Sequence, residues 1–412
     1  MTVQKSEPLV SASGGLIKVI SPGRVTGLPH IVVARFAYQD GSFFVFGGKA
    51  RSDWVMNTLA AGTVKLRLRE LVYEATPSIA GPLERSAALE WFSKKYGRRL
   101  TDGWYGKAEV CIKLSPSGPP SRRGAVTGEG DVKIAFSDWK KNGLSYYAGV
   151  AEAFDSASEE YDYTIKNNFI NGWIRERSID ELLAYAKPDD VLLEVGCGTG
   201  AEAMEISRHV AGIVATDISP AMIALLRRKV ESKRGRHNIS ALQLGAAEIS
   251  RASQSLPDGK TRLAYSFNGA LNCEPSIEWF PAELARVIGD QGYFICSIRN
   301  TLCLSEALVH GLFLQFDRMA PRKRQPMMVS VGGVDIPSYY YPPSKFARFF
   351  SPQFRVRKTI GLPAILPPAY LSDAYFKARS ILSFMERIER VAAGTFPLNQ
   401  FGDQTLFVFQ KK

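Results

Sequence analysis

The sequence predicts an α/β protein in which a doubly wound, mainly parallel sheet follows a smaller β-rich domain. From residue 191 onward, apolar strand-like runs alternate with helical stretches, which is the pattern of a sheet covered on both faces. A glycine-rich turn, residues 196–200, follows the first of these runs. Within the first 115 residues, short β-rich runs are separated by turns of Gly, Pro and Asp, which suits a small barrel with helices at its rim.

The amino-terminal domain is expected to span residues 1–115 and to be followed by a linker, residues 116–135. The stretch from Leu114 to Asp131 is rich in Pro, Gly and Ser and poor in apolar residues, which is typical of an exposed connection. The predicted elements share turn signals at their ends. The strands are 16–20, 31–38, 42–47, 64–68 and 109–114, and the helices are 52–61 and 83–96.

The carboxy-terminal domain is expected to span residues 136–412. Helical segments 151–163 and 169–186 precede its first strand, and helix 201–210 follows that strand. Seven strands are expected, at 191–195, 213–216, 240–244, 263–267, 293–298, 354–361 and 405–410. An insertion at about 301–350 is predicted to cap the active site, as insertions between late strands commonly do.

Two neighbouring strands end in residues suited to a nucleoside. Gly196, Gly198 and Gly200 alternate in the turn, so the backbone turns tightly and a ligand can lie where a Cβ would collide. The next strand ends at Asp217, whose carboxylate suits the two hydroxyls of a ribose. The pattern indicates a nucleoside-cofactor site.

The spacing leaves the nucleoside open. The glycines together with Ala201 also satisfy the dinucleotide pattern G-x-G-x-x-G/A, and a turn whose glycines serve packing alone is a further alternative. Glu194 stands two residues before the first glycine, where a carboxylate would repel a pyrophosphate but attract an ammonium group. Ser219 and Pro220 suit the cap and first turn of the next helix.

The segments LEVGCGTG (193–200) and ATDISPAMI (215–223) resemble motifs I and II of class I S-adenosylmethionine (SAM)-dependent methyltransferases. The resemblance implies a Rossmann-like seven-stranded sheet with an antiparallel last strand, and SAM as cofactor. Glu194 and the glycine turn would hold the methionine portion, Asp217 the ribose, and Ile218 and Met222 the adenine. The cofactor-binding set that it implies is Glu194, Gly196, Cys197, Gly198, Thr199, Gly200, Asp217, Ile218, Met222, Ala246, Ala247, Asn268 and Tyr161.

One position departs from the family. Many members carry an acid after the third strand that accepts from the adenine amine, but Ala246 and Ala247 follow Gly245 here. Glu248, a backbone carbonyl or apolar contact would have to replace that acid. Tyr161 matches a tyrosine that often closes over the sulfonium, and its alternative role is packing on the sheet.

The residues after the fourth strand are expected to meet the methyl acceptor. Residues 269–272, GALN, resemble a bacterial and archaeal methyltransferase subgroup, and Asn268 and Asn272 would orient a substrate oxygen or merely cap the turn. The insertion holds the apolar run 308–316, a basic segment 318–324 and the acceptor candidates Tyr339, Tyr340 and Tyr341. A lid of this composition suits a small, largely apolar or aromatic acceptor, although the run 308–316 would equally pack as a core helix.

The first 115 residues resemble the split-barrel family of deazaflavin-dependent nitroreductases and quinone reductases. The resemblance rests on residues 23–29, GRVTGLP, and on residues 48–59, GKARSDWVMNTL. It implies that Lys49, Arg51, Ser52, Trp54 and Asn57 contact coenzyme F420. The loop before Ser52 lacks the glycine-rich stretch of the best-matched members, so a purely structural barrel is the alternative. Barrels of this family often pair, so a homodimer is one expectation.

Composition narrows the classes of function. The net charge is +12, but the basic residues are scattered and do not interleave with aromatic ones, so no nucleic-acid partner is expected. The 5 cysteines form no C-x-x-C pair and the 4 histidines are widely spaced, so reduced thiols and no metal site are expected. No signal peptide or transmembrane segment is evident, which predicts a cytoplasmic protein.

The favoured hypothesis is a SAM-dependent methyltransferase for a small apolar or aromatic molecule, with no catalytic residue identified, because positioning alone can carry methyl transfer. A second hypothesis is a bifunctional F420-dependent reductase–methyltransferase, in which the reduced product is then methylated. A non-catalytic SAM-binding or scaffold protein is the third. A nicotinamide-dependent dehydrogenase is the fourth.

Overall fold

The computed structural model describes residues 16–24, 28–68, 71–122, 143–166, 168–232, 238–312, 322, 325–369 and 379–412. Contacts within the chain divide it into two units, Met1–Val132 and Lys133–Lys412. Some of the sequence-based assignments lie outside the described residues. They are residues 25–27 of the first barrel motif, 123–135 of the linker, 313–316 of the apolar run, and 318–321, 323 and 324 of the basic segment.

The described strands of the first unit form one antiparallel sheet in the order β2-β1-β5-β6-β7-β4-β3, with β8 paired to β6. The strands are β1 (Leu16–Pro22), β2 (Pro29–Arg35), β3 (Ala37–Gln39), β4 (Ser42–Gly47), β5 (Val64–Leu68), β6 (Leu71–Ile79), β7 (Val110–Pro116) and β8 (Ser121–Arg122). The helices are α1 (Asp53–Ala60), α2 (Pro82–Tyr96) and α3 (Arg98–Gly103).

Strand β4 is buried on both faces because its side chains alternate between two apolar clusters. Phe43 and Val45 pack with β1, β5 and β7, whereas Phe44 and Phe46 pack with α2 through Phe92. The first unit therefore has an apolar core of its own.

Two departures from the predicted strands have local causes. The expected strand 31–38 is two strands, since the Tyr96 hydroxyl accepts from the Phe36 N–H at 3.3 Å and donates to the Phe36 carbonyl at 2.8 Å. Strand β6 is absent from the predicted strands, and it contains Pro77, a residue that weakens a strand pattern. The structure tolerates Pro77 because its end of β6, Ala75 to Ile79, pairs only with β7, while Leu71 to Ala75 pairs with β5.

The second unit contains the predicted seven-stranded sheet, in the order β11-β10-β9-β12-β13-β17-β16. Its pairs are parallel except those of β17, which is antiparallel to both neighbours, so the expected antiparallel last strand is confirmed. The strands are β9 (Val191–Val195), β10 (Gly212–Asp217), β11 (Ile239–Gln243), β12 (Thr261–Ser266), β13 (Ile288–Arg299), β16 (Phe354–Leu362) and β17 (Gln404–Lys411). A separate hairpin is formed by β14 (Met327–Val331) and β15 (Val334–Ser338).

Helices cover both faces of this sheet, which confirms the doubly wound arrangement. The helices of the unit are α4 (Gly143–Lys166), α5 (Phe169–Leu183), α6 (Ala201–Ile206), α7 (Pro220–Ser232), α8 (Phe280–Val287), α9 (Leu304–Leu312), α10 (Pro343–Phe350) and α11 (Arg379–Ala392). Leu192 of β9 packs in the cluster that includes α5, α6 and α7, whereas Leu193 packs in the cluster that includes α8 and α10. Helix α4 is longer than expected, and α5 and α6 are shorter by three and four residues.

The insertion is built into the unit by buried charges and close backbone packing. Arg322, which belongs to the basic segment 318–324, is buried in ion pairs with Glu306 at 2.7 Å and Asp403 at 2.6 Å. The β14–β15 hairpin packs on α4, where Gly332, with φ of +62°, lies so close to Ala153 that a Cβ would collide. Among the described helices, none is long and apolar enough to cross a bilayer.

Candidate cofactor and acceptor site

A cavity lies at the carboxyl ends of β9, β10 and β12, where the strand order reverses, and its empty space, including the open mouth, is about 1010 Å³. Its lining comes from three regions: helix α4, the glycine turn with its neighbouring strand ends, and the segment after β12. The lining residues are Tyr147, Val150, Phe154, Tyr161, Glu194, Val195, Gly196, Cys197, Gly198, Thr199, Glu202, Asp217, Ile218, Leu244, Gly245, Ala246, Phe267, Asn268, Gly269, Ala270, Leu271, Cys273 and Glu274.

The glycine turn has the backbone conformation that the sequence predicts. Gly196, Gly198 and Gly200 have φ values of 76°, 52° and 74°, in the left-handed region that side chains disfavour. A Cβ at Gly196 would collide with the Cβ of Ala270. Gly200 begins α6 and does not line the cavity, because its Cα faces Leu226. Packing therefore requires Gly196 and Gly200, while Gly198 is bare toward the cavity.

Asp217 joins the two motif segments. Its Oδ2 accepts from the Gly198 N–H at 2.8 Å, and its Oδ1 accepts from the Ser219 N–H at 2.9 Å. Burial raises the pKa of Asp217 above its ordinary value, and these backbone N–H groups oppose the shift by stabilising the carboxylate. The carboxylate is thus held in place at the cavity wall.

Glu194 is a buried carboxylate with unused hydrogen-bonding capacity. Only 2% of the residue is exposed, and its Oε2 has no hydrogen-bond partner among the described residues. Burial, reinforced by the neighbouring Glu202 carboxylate, raises the pKa of Glu194 well above its ordinary value. Glu202 is itself paired with Arg175 at 3.1 Å and accepts from the Asn268 side chain at 3.0 Å. The cavity therefore offers acceptor oxygens where a cation or hydroxyl donors would be stabilised.

Helix α4 holds the turn and the start of α7 from above. Asp162 accepts from the Thr199 hydroxyl and pairs with Lys229 at 2.5 Å. Asp155 accepts from the Ser219 hydroxyl and from the Ala221 N–H at 3.0 Å. The ring of Tyr161 lines the cavity beside Gly198, and burial raises the pKa of its hydroxyl.

The proposed adenine side is largely apolar. Ile218, Leu244, Gly245 and Ala246 line it, and no acid stands at Ala246. Met222 is fully buried within the fold and does not line the cavity, nor does the exposed Ala247.

The acid that the sequence offered as a replacement at this position is also outside the cavity lining. Glu248 is exposed and pairs with Arg251 at 2.6 Å. Of the replacements that the sequence left open, apolar contact is therefore the one that the cavity lining supports.

Of the residues expected at the acceptor, Asn268 lines the cavity, whereas Asn272 and the three tyrosines do not. Asn272 is 1% exposed, and its side chain accepts from the Arg299 N–H at 2.8 Å and donates to the Tyr339 carbonyl at 2.6 Å. It therefore ties the turn to β13 and the insertion. None of Tyr339, Tyr340 and Tyr341 lines the cavity; Tyr341 packs against Phe346.

Among the polar cavity residues, sequence reasoning singled out neither Tyr147 nor Glu202, and it placed Glu274 only within the segment expected to meet the acceptor. The Tyr147 hydroxyl donates to Glu274 Oε1 at 2.8 Å across 127 residues of chain. No local sequence pattern predicts a contact between residues so far apart in the chain. Glu202 was more accessible to inference, since it lies in the first turn of the helix that follows the glycine turn.

Of the five residues carried over for F420, Asn57 lines the described cavity of the first unit and the other four do not. Asn57 is buried, accepts from the Arg24 N–H at 3.2 Å and lines a shallow cavity with His30. The other four, Lys49, Arg51, Ser52 and Trp54, do not line it. The Ser52 hydroxyl donates to the Lys49 carbonyl at 2.8 Å, and Trp54 packs against the core.

The chain is similar to known methyltransferases over its second unit. Residues 192–292 match the family described as a methyltransferase domain. The demethylmenaquinone methyltransferase of Symbiobacterium thermophilum is 29% identical over 177 residues, which cover 42% of this chain and 67% of that protein.

Two solved structures share weaker likeness. The N-methyltransferase NodS from Bradyrhizobium japonicum, in complex with S-adenosyl-l-homocysteine (SAH), is 9% identical with a TM-score of 0.38, and the match covers 65% of this chain and 98% of that one. A SAM-dependent methyltransferase from Mesorhizobium loti is 14% identical with a TM-score of 0.38, covering 58% of this chain and 99% of that one.

The hydrogen-bond acceptors that line the cavity fit SAM. Glu194 Oε2, unpartnered among the described residues, and Asp217 are acceptors for an ammonium group and for ribose hydroxyls, and the bare backbone of Gly198 leaves room beside them. Residues 192–292, which match the methyltransferase family, contain both carboxylates and the glycine turn. The second unit of this chain contains a class I SAM-dependent methyltransferase domain.

Proposed function

We propose that this domain methylates a small, largely apolar or aromatic molecule. SAM supplies an electrophilic methyl group on a sulfonium. The chain's own residues bind and orient the two molecules and exclude water, since positioning can supply about 7–11 kcal/mol of the barrier reduction for such a displacement.

The observation that carries the proposal is the pairing of two buried carboxylates with bare backbone between them. Glu194, whose Oε2 has no partner among the described residues, would hold the ammonium of the methionine portion, and Asp217 would hold the ribose. A pyrophosphate bound at the glycine turn would be repelled by the Glu194 carboxylate, so a dinucleotide is disfavoured.

The acceptor class follows from the rest of the cavity lining. Val150, Phe154, Leu244, Phe267 and Leu271 provide apolar surface next to the carboxylates. Such a wall favours ligands with apolar or aromatic surface over highly charged ones. The relative from Symbiobacterium thermophilum, named for demethylmenaquinone as its methyl acceptor, is in keeping with a small-molecule acceptor.

For the first unit we propose a split-barrel architecture with a structural role. Its antiparallel sheet, with β4 buried on both faces, supports a barrel-like core. Lys49, Arg51 and Trp54 do not line the cavity that Asn57 lines, so that cavity gives the F420-dependent alternative no support.

Isothermal titration with SAM tests the proposal. We expect Asp217→Ala to weaken SAM binding about tenfold to hundredfold, because a charged hydrogen bond contributes about 1.5–3 kcal/mol. Glu248→Gln is the matched control, since Glu248 is exposed outside the cavity, and its affinity should equal that of the wild type. Equal SAM affinity in Asp217→Ala, or binding of NAD but not SAM by the wild type, would contradict the proposal.

A further inference from the structure

A second acidic group lines the cavity apart from the cofactor carboxylates. Glu274 follows β12 and is 5% exposed. Its Oε1 accepts from the Tyr147 hydroxyl at 2.8 Å and from the Ser276 N–H at 3.1 Å. Its Oε2 makes no hydrogen bond to the described residues. One carboxylate oxygen thus performs all of the observed structural contacts, while the other is left over.

Helix α4 fixes this carboxylate from two consecutive positions. The Tyr146 hydroxyl donates to the Cys273 carbonyl at 2.6 Å, which pins the backbone just before Glu274. Tyr147 then holds the side chain itself. Two directed contacts on neighbouring residues restrict both the loop and the carboxylate, as a group that must meet a reacting atom requires.

The surroundings of Glu274 contain acids and phenols. The titratable groups that act on it, or on which it acts, are Tyr146 and Tyr147 of α4, Cys273 and Glu278 on its own segment, and Tyr339 and Tyr341 after β15. None of these is a cation. Burial, opposed by the Tyr147 and Ser276 hydrogen bonds, therefore raises the pKa of Glu274 above its ordinary value.

We infer that Glu274 accepts the proton of an aromatic hydroxyl on the methyl acceptor, and that Tyr147 positions it. The inference rests on the proposed function. In the step, the acceptor oxygen forms a bond to the methyl carbon while the carbon–sulfur bond breaks and leaves its electron pair on sulfur. The hydroxyl proton passes to Glu274 Oε2 and afterwards to solvent, so SAM and the phenol become SAH and an aryl methyl ether.

An aromatic hydroxyl suits this base better than an aliphatic one. Its pKa, near 10 as in tyrosine, is within reach of a carboxylate whose own pKa is raised. Phe154 and Phe267 also line the cavity and offer aromatic surface to a ring.

The test uses the full-length protein with 4-nitrophenol as the probe, because its ionised form is coloured. SAH affinity is measured first in the wild type, Glu274→Gln and Glu278→Gln. We expect it to be equal in all three. If the wild type did not bind SAH, the proposed function would be contradicted. If all three proteins bind SAH equally, any later difference between them reflects the role of Glu274 alone.

The SAH complex is then titrated with 4-nitrophenol near neutral pH. We expect the wild type and the exposed-site control Glu278→Gln to bind it with loss of the phenolate colour, since the phenol shares its proton with the Glu274 carboxylate. Glu274→Gln should bind without that colour loss. Nitrobenzene, which lacks the hydroxyl, should bind equally to all three. Absence of saturable binding, or the same colour change in Glu274→Gln, overturns the inference.

Turnover with SAM gives the second readout. At a pH low enough for 4-nitrophenol to keep its proton, formation of 4-nitroanisole should fall about 10²–10⁴-fold in Glu274→Gln, the range typical of a lost general base, and should change little in Glu278→Gln. Tyr147→Phe removes a hydrogen bond that lowers the pKa of Glu274, so the acidic limb of its rate profile should move to higher pH. An unmoved limb, or wild-type binding with no methylation, overturns the catalytic role.

Discussion

At the scale of single residues, burial decides which carboxylates are available to a ligand. Glu202 is satisfied by Arg175 and Asn268, and Asp217 by two backbone N–H groups. Glu194 Oε2 has no hydrogen-bond partner among the described residues, and the neighbouring Tyr265 hydroxyl and Arg175 only partly offset the rise in the pKa of Glu194 that burial causes. Burial of the Glu194 carboxylate costs free energy of desolvation, and a bound cation would offset that cost. We therefore expect cofactor affinity to depend most on Glu194.

The raised pKa of Glu194 predicts a stability that depends on pH. The folded protein keeps a proton that the unfolded chain loses above the ordinary pKa of 4.5, so its stability falls as the pH rises through the window above that value. Glu194→Gln has no such loss. We expect its melting temperature without ligand to equal or exceed that of the wild type, with a gap that widens as the pH rises above about 5.

Thermal unfolding and SAM titration together check this prediction. Glu205→Gln is the control, because Glu205 is partly exposed and pairs with Arg208 on the surface, so its effect should not vary with pH in this way. Glu194→Gln should also bind SAM more weakly, by about tenfold to hundredfold. A variant that is less stable at the higher pH, or that binds SAM as the wild type does, would show that Glu194 is a structural group.

The sequence predicted those site residues that follow strands. Glu194 and Asp217 stand at the ends of adjacent parallel strands, which brings them to one edge of the sheet. Tyr147 and Glu274 meet only because α4 folds back across the sheet, and no spacing records that contact. Asn272 was expected at the acceptor, but its side-chain amide forms hydrogen bonds to the backbone of Arg299 and Tyr339 and does not line the cavity.

At the scale of elements, helix α4 and the glycine turn are joined by side-chain contacts and shape the cavity together. Asp155 and Asp162 anchor the helix to α7 and to the turn, while Tyr161 and Tyr147 line the cavity from the same helix. The cavity is thus shaped by a helix that precedes the sheet in the chain. Its position depends on the turn keeping its close backbone packing.

Gly196→Ala should disturb that packing. The new Cβ would collide with the Cβ of Ala270 at a φ of 76°, and neither group has freedom to move aside. We expect a loss of about 1–3 kcal/mol in the free energy of unfolding, the usual range for overpacking, together with weaker SAM binding. Denaturant unfolding and SAM titration provide the measurement.

Gly172→Ala is the matched control for this change. Gly172 lies in α5 with nothing near its added Cβ, so the same substitution should stabilise the protein by about 0.5–1 kcal/mol through helix propensity. If Gly196→Ala behaved like Gly172→Ala, the close approach of the turn to Ala270 would be refuted.

Most helices and strands could be predicted from the periodicity of apolar residues and from turn residues. The elements that were not predicted depend on contacts between distant parts of the chain. The strand 42–47 and the strand 64–68 were predicted with the observed bounds because their apolar patterns end at clear turns. Strand β6 was missed because Pro77 is acceptable only where one side of a strand is unpaired, which depends on its neighbours. The break at Phe36 likewise depends on Tyr96, 60 residues away.

At the scale of the whole molecule, each of the two units has its own apolar core. The match to the methyltransferase family lies within the second unit. Composition and charge excluded classes of function but did not assign one, because net charge acts on partners and solubility rather than on the fold. The homodimer and the small-molecule acceptor stay predictions, and the role of the first unit is the part that residue patterns resolved least.

The most direct test of the central claim is a crystal structure of the full chain grown with SAH. We predict one ligand in the second unit, with its amino group beside Glu194, its ribose on Asp217 and its adenine against Ile218 and Leu244. An empty cavity at saturating SAH, or a ligand whose ribose lies away from Asp217, would contradict the assignment of this crevice to SAM.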